Sequence, residues 1–181
     1  MVFSKRTVLV REIIKRLDEF SLVRVNGTPA SGKTTLMHLV IDHLLSGKCD
    51  KPLYMITRWD QNYIRSMGGW ASFLQAETGV KRNEWRKHPC YLFLDEAQES
   101  YKDGNLWAEF FKAVDSSWAC RILLLTSYGS PGSSATGITN QEMIKIPMSF
   151  GPGKQISLRP VCASHFHRLL ISVTVYRVSG E

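Results

Sequence analysis

The sequence predicts an α/β fold with a mainly parallel β-sheet. Short apolar runs at 22–25, 52–57, 91–94, 121–125 and 155–158 indicate strands, and segments with helical spacing of apolar residues lie between several of them. Two of these runs, 91–94 and 121–125, are apolar throughout or nearly so, which is typical of strands buried on both faces of a parallel sheet. The chain has 181 residues, of which 44% are hydrophobic, so it can bury the core of one domain.

Four helices are predicted between and beside the strands. The first covers 7–20, where the apolar residues recur at helical spacing. The second begins at Lys33, repeats an apolar pair every four residues and ends at Gly47. The others lie around 70–78 and over 106–114.

The connections follow from glycine, proline and serine. Asn26 and Gly27 form a turn signal after the first strand. The segment 127–153 is rich in Gly, Ser and Pro, so it is expected to be mostly loop, with one strand at 143–148. No internal repeat is present, and nothing in the sequence indicates two separate domains.

The chain is basic, with 23 Lys and Arg against 16 Asp and Glu and a formal net charge of +7. Such a surplus suits a polyanionic partner, which leaves nucleic acid and a nucleotide phosphate chain both open. The densest basic run, at 81–87, is equally typical of a solvated connector. Five tryptophans are expected to pack in the core rather than to stack on a ligand: Trp59, Trp70, Trp85, Trp107 and Trp118.

The cysteines and the N-terminus bear on the compartment. Cys49, Cys90, Cys120 and Cys162 form no CxxC pair and show no zinc-finger spacing, so a reducing environment is expected, without a disulfide framework or a metal site on these thiols. Charges interrupt the N-terminal apolar residues early, and no stretch reaches the ~18–20 apolar residues of a membrane helix. The chain is therefore expected to be intracellular and not associated with a membrane, in the cytoplasm or the nucleus.

The strongest motif is Gly27-Thr-Pro-Ala-Ser-Gly-Lys-Thr34, which fits the phosphate-binding pattern G-x-x-x-x-G-K-[ST] between a predicted strand and a predicted helix. Its glycines allow close backbone approach, so that N–H groups at the positive end of the helix can turn toward phosphates. Lys33 would reach the β- and γ-phosphates, and the hydroxyl of Thr34 would ligate Mg²⁺. The rest of the predicted nucleotide-binding set is Gly27, Thr28, Pro29, Ala30, Ser31, Gly32 and Thr35.

An acidic pair, Asp95 and Glu96, directly follows the buried run 91–94, as in the Walker B motif. Asp95 would hold Mg²⁺, and Glu96 would orient and deprotonate an attacking water. A polar residue at the end of the run 121–125 would sense the γ-phosphate, with Ser127 favoured over Thr126. The predicted catalytic set is thus Glu96, Lys33 and Ser127, and the predicted metal ligands are Thr34 and Asp95.

Four other residues are weaker candidates for the same site. Gln98 could contact the water or the phosphate, although a surface glutamine is as good an interpretation. Arg121, Lys154 and Arg159 could neutralise phosphate charge, but the sequence positions none of them.

With these motifs the chain resembles the ASCE division of P-loop NTPases and, within it, the AAA+/STAND-like proteins. The resemblance implies a three-layer α/β/α sandwich with sheet order 5-1-4-3-2, in which the strand at 52–57 is the outer one. It also implies ATP as the nucleotide, since no guanine-specificity motif of the Asn-Lys-x-Asp kind is present.

A narrower resemblance covers roughly residues 8–160. The run from Tyr91 to Trp107, with Asp-Glu-Ala-Gln, Ser-Tyr and Leu-Trp, together with the Ser-Tyr-Gly-Ser-Pro and Ile-Ser-Leu-Arg-Pro segments, is similar to the NTPase domain of Crinkler-type proteins, several of which act as effectors inside host cells. The N-terminal translocation segment of that family and the helical lid with its second sensor arginine have no counterpart here. The predicted organisation is therefore a P-loop NTPase domain at 1–160 and an unassigned C-terminal segment at 161–181, truncated or diverged.

The expected function is ATP binding with hydrolysis of Mg-ATP. An alternative is a nucleotide-dependent switch or binding module of an effector-like protein with little turnover, which the missing lid favours and Glu96 disfavours. A small-molecule kinase would share the loop but needs a basic lid, and an inactive fragment would lack a stable core. A protein partner or a homo-oligomer is compatible with each of these.

Overall fold

The structure, a computed structural model, describes residues 2–127 and 146–158, with side chains from residue 6 onward. Its strands are β1 Leu22–Gly27, β2 Leu53–Ile56, β3 Tyr91–Leu94, β4 Arg121–Ser127 and β5 Gln155–Ser157. Its α-helices are α1 Val2–Glu19, α2 Lys33–Ser46, α3 Gln61–Ser66, α4 Trp70–Thr78 and α5 Gly104–Glu109. Two short 3₁₀ helices cover Ala97–Lys102 and Phe111–Ala113.

The strands form one parallel sheet in the order β2-β3-β4-β1-β5. Read from the other edge this is 5-1-4-3-2, so the predicted order is confirmed, with β2 as an outer strand. Gly27 pairs with Ser127, and Leu94 pairs with Leu124. Because the strands are parallel, the carboxyl ends of β3, β4 and β1 lie side by side at one edge of the sheet.

Helices cover both faces of the sheet, as the predicted α/β fold requires. The three central strands, β1, β3 and β4, are buried on both sides, so their alternate residues enter different cores. Leu92 and Leu94 pack in a core shared with α4 and α5, whereas Tyr91 and Phe93 pack in a core shared with α1 and α2. Full burial of one such side chain contributes about 1.5–3 kcal/mol to the free energy of folding. The two cores therefore stabilise the sheet that carries the loops at the carboxyl ends of its strands.

All five tryptophans are buried, which confirms that they pack in the core. Trp107 lies on α5, and its indole N–H donates to the carbonyl oxygen of Ser100 at 3.0 Å. The Tyr101 ring meets the Trp107 ring edge to face, with centroids 5.3 Å apart. These contacts anchor the 3₁₀ helix Ala97–Lys102, which directly follows the acidic pair.

Two local predictions were wrong, and one helix was not predicted. The expected turn at 26–27 is part of β1, because Asn26 pairs with Thr126 in the sheet and its carbonyl accepts from the Leu158 N–H at 2.7 Å. The helix predicted over 106–114 begins at Gly104, ends at Glu109 and is followed by the short 3₁₀ helix Phe111–Ala113. Helix α3 was not predicted, although the Asp60 side chain caps it by accepting from the Asn62 and Tyr63 N–H groups.

Several predictions fall wholly or partly outside the described residues. The strand expected at 143–148 is described only from residue 146, and residues 146–148 are not in a strand. Arg159, Cys162 and the segment 161–181 also lie outside. Within the described parts of the chain, no helix combines the length and the apolar character needed to cross a membrane.

Candidate functional site

The glycine-rich loop, residues 27–34, connects the end of β1 to the start of α2. A Cβ atom on Gly27 would lie 2.5 Å from the Ser31 hydroxyl and 3.1 Å from the Leu158 Cβ, so no larger residue fits there without a shift. Gly32 has φ of 80° in the left-handed region, which favours glycine. Ala30 also has a positive φ, of 58°, where a Cβ is strained. The loop is therefore tightly folded around its two glycines.

The start of α2 is left open by the loop. Gly32 precedes the helix and has no side chain, so no side-chain hydrogen bond caps α2 at this end. The first N–H groups of any α-helix lack partners within the helix, and the 14 residues of α2 add a helix dipole with its positive end here. This end of α2 can accommodate an anion.

Lys33 is buried at the start of α2, and its ammonium donates to the carbonyl oxygen of Thr28 across the loop at 2.9 Å. Burial lowers the pKa of Lys33, while the nearby carboxylates of Glu96 and Asp95 act in the opposite direction. A phosphate group that entered the loop would offer this partly desolvated ammonium a stronger, charged acceptor than the Thr28 carbonyl.

Thr34 and Asp95 lie 61 positions apart in sequence and are joined directly: the Thr34 hydroxyl donates to Asp95 Oδ2 at 2.6 Å. Asp95 is 5% exposed, and burial raises the pKa of its carboxyl group, whereas hydrogen bonds from Thr34 and from the Glu96 N–H lower it. The structure thus brings together the two residues predicted as metal ligands.

The pair also has the right chemistry for Mg²⁺, which prefers oxygen ligands and is commonly held by one or two protein groups together with substrate phosphates. The described residues contain no group of three or more His, Cys, Asp or Glu placed to hold a metal ion. A hydroxyl and a buried carboxylate oxygen in contact therefore fit a metal shared with a phosphate ligand rather than a metal held by protein groups alone.

Glu96 belongs to a ring of hydrogen bonds with Gln98 and Ser127. Its Oε2 atom accepts from the Ser127 hydroxyl at 3.1 Å and from the Gln98 side-chain amide. The Gln98 Oε1 atom in turn accepts from the Ser127 N–H at 2.9 Å. Ser127 therefore faces Glu96, as favoured, whereas Thr126 is buried and contacts the hydroxyl of Tyr101 instead.

The ring explains the backbone at Glu96. This residue has φ of 45°, a left-handed conformation that a residue with a Cβ rarely adopts. Its N–H donates to Asp95 Oδ1 at 2.9 Å, and its side chain is held by Gln98 and Ser127. Surrounding contacts thus stabilise a strained backbone, an arrangement common at functional sites.

The arginine and lysine candidates lie elsewhere. Arg121 is the first residue of β4 and lies at the amino ends of the strands, opposite the loop. Its guanidinium donates there to the Ser21 hydroxyl at 2.7 Å and to the Trp118 carbonyl at 2.8 Å. Lys154 precedes β5 at the same end of the sheet, and its ammonium lies 5.9 Å from the centroid of the Phe20 ring. In this arrangement neither side chain can neutralise the charge of a phosphate in the glycine-rich loop.

The basic run at 81–87 is partly neutralised by acidic neighbours. Arg82 pairs with Glu109 at 2.9 Å, and Arg86 lies 3.5 Å from Asp115. The run therefore does not present four free cations to a polyanion.

Two contacts at the site were not predicted from the sequence. The bridging role of Gln98 depends on the turn made by the 3₁₀ helix Ala97–Lys102, although its place two residues after Glu96 was a usable signal. Arg6 of α1 lies against Gly32, and nothing in the sequence pattern indicates that contact.

Comparison with known proteins does not identify a family. No protein-family model matches the chain, and no curated protein matches it. The functional argument therefore depends on the geometry of the site and on the sequence motifs.

Proposed function

We propose that the chain binds Mg-ATP at the glycine-rich loop and hydrolyses it. The observation that carries this proposal is the 2.6 Å hydrogen bond between Thr34 and Asp95, because it joins the loop motif to the acidic pair across 61 positions of sequence. Parallel strands bring both motifs to the same end of the sheet, and the direct contact of a hydroxyl with a carboxylate there gives the pair that a metal ion needs. A phosphate-binding loop, a metal-binding pair and a carboxylate base are required together for this reaction.

Each residue has a role that its surroundings support. The loop N–H groups and Lys33 would bind the phosphates, and Thr34 and Asp95 would hold Mg²⁺, which neutralises phosphate charge. Glu96 would accept a proton from the attacking water at its carboxylate. Gln98 and Ser127 would orient that carboxylate through the bonds described above, and Ser127 would also sense the γ-phosphate.

The experiment that tests nucleotide binding is titration of the purified chain with Mg-ATP, by calorimetry or with a fluorescent analogue. We expect binding by the wild type and a loss of at least about tenfold in affinity in Lys33→Ala, since a charge-assisted phosphate contact is removed. Lys112→Ala is the matched control, because Lys112 is exposed and lies outside the site. Absence of wild-type binding, or equal binding by Lys33→Ala, would contradict the proposal.

A nucleotide-dependent switch with little turnover is the second candidate. It is favoured by the bond from Lys33 to the Thr28 carbonyl at 2.9 Å, because a bound phosphate would compete for an ammonium that holds the loop together. Binding would then be coupled to a rearrangement of the loop, which a protein partner could sense. The two candidates differ in phosphate release, which the switch does not require.

We also propose that the chain is a Crinkler-type NTPase domain of the AAA+/STAND-like group. This narrower assignment depends on the sequence pieces around the acidic pair. It is supported by the packing of Ser100, Tyr101 and Trp107, because the residues that carry the resemblance form one contact unit behind Glu96. The role of this contact unit can be tested with Trp107→Phe, which loses the donor to Ser100. Lower turnover with unchanged Mg-ATP affinity is expected if the unit supports Glu96, and unchanged turnover would contradict that role.

A further inference from the structure

We propose that Arg6, on α1 of the same chain, is a phosphate-binding residue that contacts the bound nucleotide from the side of the glycine-rich loop. The inference rests on the proposed function, since it assigns a second cation to the same site. It begins from the space around Gly32. A Cβ atom placed on that glycine would lie 3.0 Å from one terminal guanidinium nitrogen of Arg6, 3.7 Å from its Cζ and 3.8 Å from the other terminal nitrogen.

These three distances fix the orientation of the side chain. All three atoms belong to the guanidinium plane, so its charged end, rather than its aliphatic stem, lies against the backbone between Ser31 and Lys33. Gly32, with its left-handed backbone, directly precedes α2, and the first N–H groups of the helix, which lack partners within it, lie at this end. A guanidinium at that point adds a planar, permanently charged donor fork to the place where an anion would bind.

Arg6 has no acidic partner in the part of the chain that the structure describes, since no carboxylate there lies within ion-pair distance of it. Arg16, on the same helix, shows the contrasting case: it binds Glu12 at 2.7 Å and the carbonyl oxygens of Gly153 and Gln155. Arg16 therefore holds α1 to the turn before β5, whereas Arg6 has no acidic partner of this kind within residues 6–127 and 146–158.

The charge balance of the site gives Arg6 a function. Asp95 and Glu96 place two carboxylates beside the loop, where Thr34 donates to Asp95 at 2.6 Å and the Glu96 N–H donates to Asp95 at 2.9 Å, while the loop itself carries one ammonium, that of Lys33. Mg²⁺ and Lys33 would offset part of the negative charge of a polyphosphate and these carboxylates, and a further cation beside the loop would reduce the remaining repulsion. Arg6 supplies such a cation from the same chain, while Arg121 and Lys154 are held at the amino ends of the strands, away from the loop.

The test is the affinity for Mg-ATP of Arg6→Ala, Arg6→Gln and Arg6→Lys beside the wild type. Arg11→Ala is the matched control, because Arg11 lies on the same helix and is exposed. We expect Arg6→Ala and Arg6→Gln to lose about tenfold in affinity, Arg6→Lys to recover part of the loss and Arg11→Ala to bind as the wild type does. Thermal melting of each variant identifies loss of folding, and Arg6→Gln, which keeps length and polarity, is the variant to compare if Arg6→Ala melts early.

Two results would overturn the assignment of Arg6 while leaving nucleotide binding intact. One is wild-type affinity in Arg6→Ala and Arg6→Gln together with weakened binding in Lys33→Ala. The other is an equal loss in Arg6→Ala and Arg11→Ala, which would indicate a general effect of charge on α1. If the wild type itself binds no Mg-ATP, the proposed function fails and the assignment of Arg6 fails with it.

Discussion

The bond between Thr34 and Asp95 gives a prediction with a worked magnitude. Thr34→Val keeps the shape of the side chain and removes the hydroxyl that donates to Asp95 Oδ2 at 2.6 Å. Hydrogen bonds to charged groups contribute about 1.5–3 kcal/mol, and the half-buried position of Thr34 favours the lower part of that range, about 1.5–2 kcal/mol. For a chain of this size, that loss lowers the melting temperature by roughly 3–8 °C.

The pH dependence of this loss identifies its cause. The bond stabilises the ionised carboxylate and lowers the pKa of Asp95 against the opposing effect of burial. Thr34→Val therefore raises that pKa further. The loss of stability is largest at pH values above the pKa of Asp95 in both folded proteins, where the carboxyl group is ionised, and shrinks as the pH falls through those raised pKa values.

The assay is urea unfolding of the wild type and Thr34→Val without nucleotide, from neutral to acidic pH. Thr35→Val is the control, because Thr35 is the next residue of α2 and is exposed. It should lie within about 0.5 kcal/mol of the wild type. The reasoning is refuted if Thr34→Val is as stable as Thr35→Val, or if its loss of stability does not change with pH.

Three further predictions concern the loop and the ring of hydrogen bonds. Ser31→Ala should raise the free energy of unfolding without nucleotide by about 1 kcal/mol, because the Ser31 hydroxyl is buried and has no hydrogen-bond partner among the described residues. Urea unfolding measures this, and a destabilised variant contradicts it. Ala30→Gly should stabilise the chain by up to about 1 kcal/mol in the same assay, since relief of about 1–2 kcal/mol of left-handed strain exceeds the entropic cost of glycine. Gln98→Ala should lower the turnover of Mg-ATP about tenfold or more with little change in affinity, because Gln98 orients Glu96; equal turnover in steady-state kinetics would remove Gln98 from the mechanism.

Much of the fold could be predicted from the sequence, because its strongest signals are local. The apolar run at Tyr91–Leu94 and the helix Trp70–Thr78 have the predicted bounds, and the resemblance to known NTPases supplied the strand order. Helix α3 was not predicted because Ile64 is its only buried residue, so the helix shows no apolar periodicity in the sequence. Gly27 was misassigned to a turn because the pairing that keeps it in β1 comes from Ser127, 100 positions away.

The candidate site divides in the same way. Lys33, Thr34 and the acidic pair belong to motifs of fixed spacing, so their types and order could be read directly. The choice between Ser127 and Thr126 could not, since it depends on which face of β4 meets the 3₁₀ helix Ala97–Lys102. The contact of Arg6 with Gly32 depends on how α1 packs beside α2, and no local pattern encodes that placement.

The most direct test of the proposed ATPase is phosphate release from Mg-ATP by the purified wild type and by Glu96→Gln. The substitution keeps the size of the side chain and removes the carboxylate that would accept the proton. We predict release by the wild type and its disappearance in Glu96→Gln, with Mg-ATP affinity retained in both. A wild type that binds Mg-ATP but releases no more phosphate than Glu96→Gln would contradict the ATPase and leave the nucleotide-dependent switch in its place.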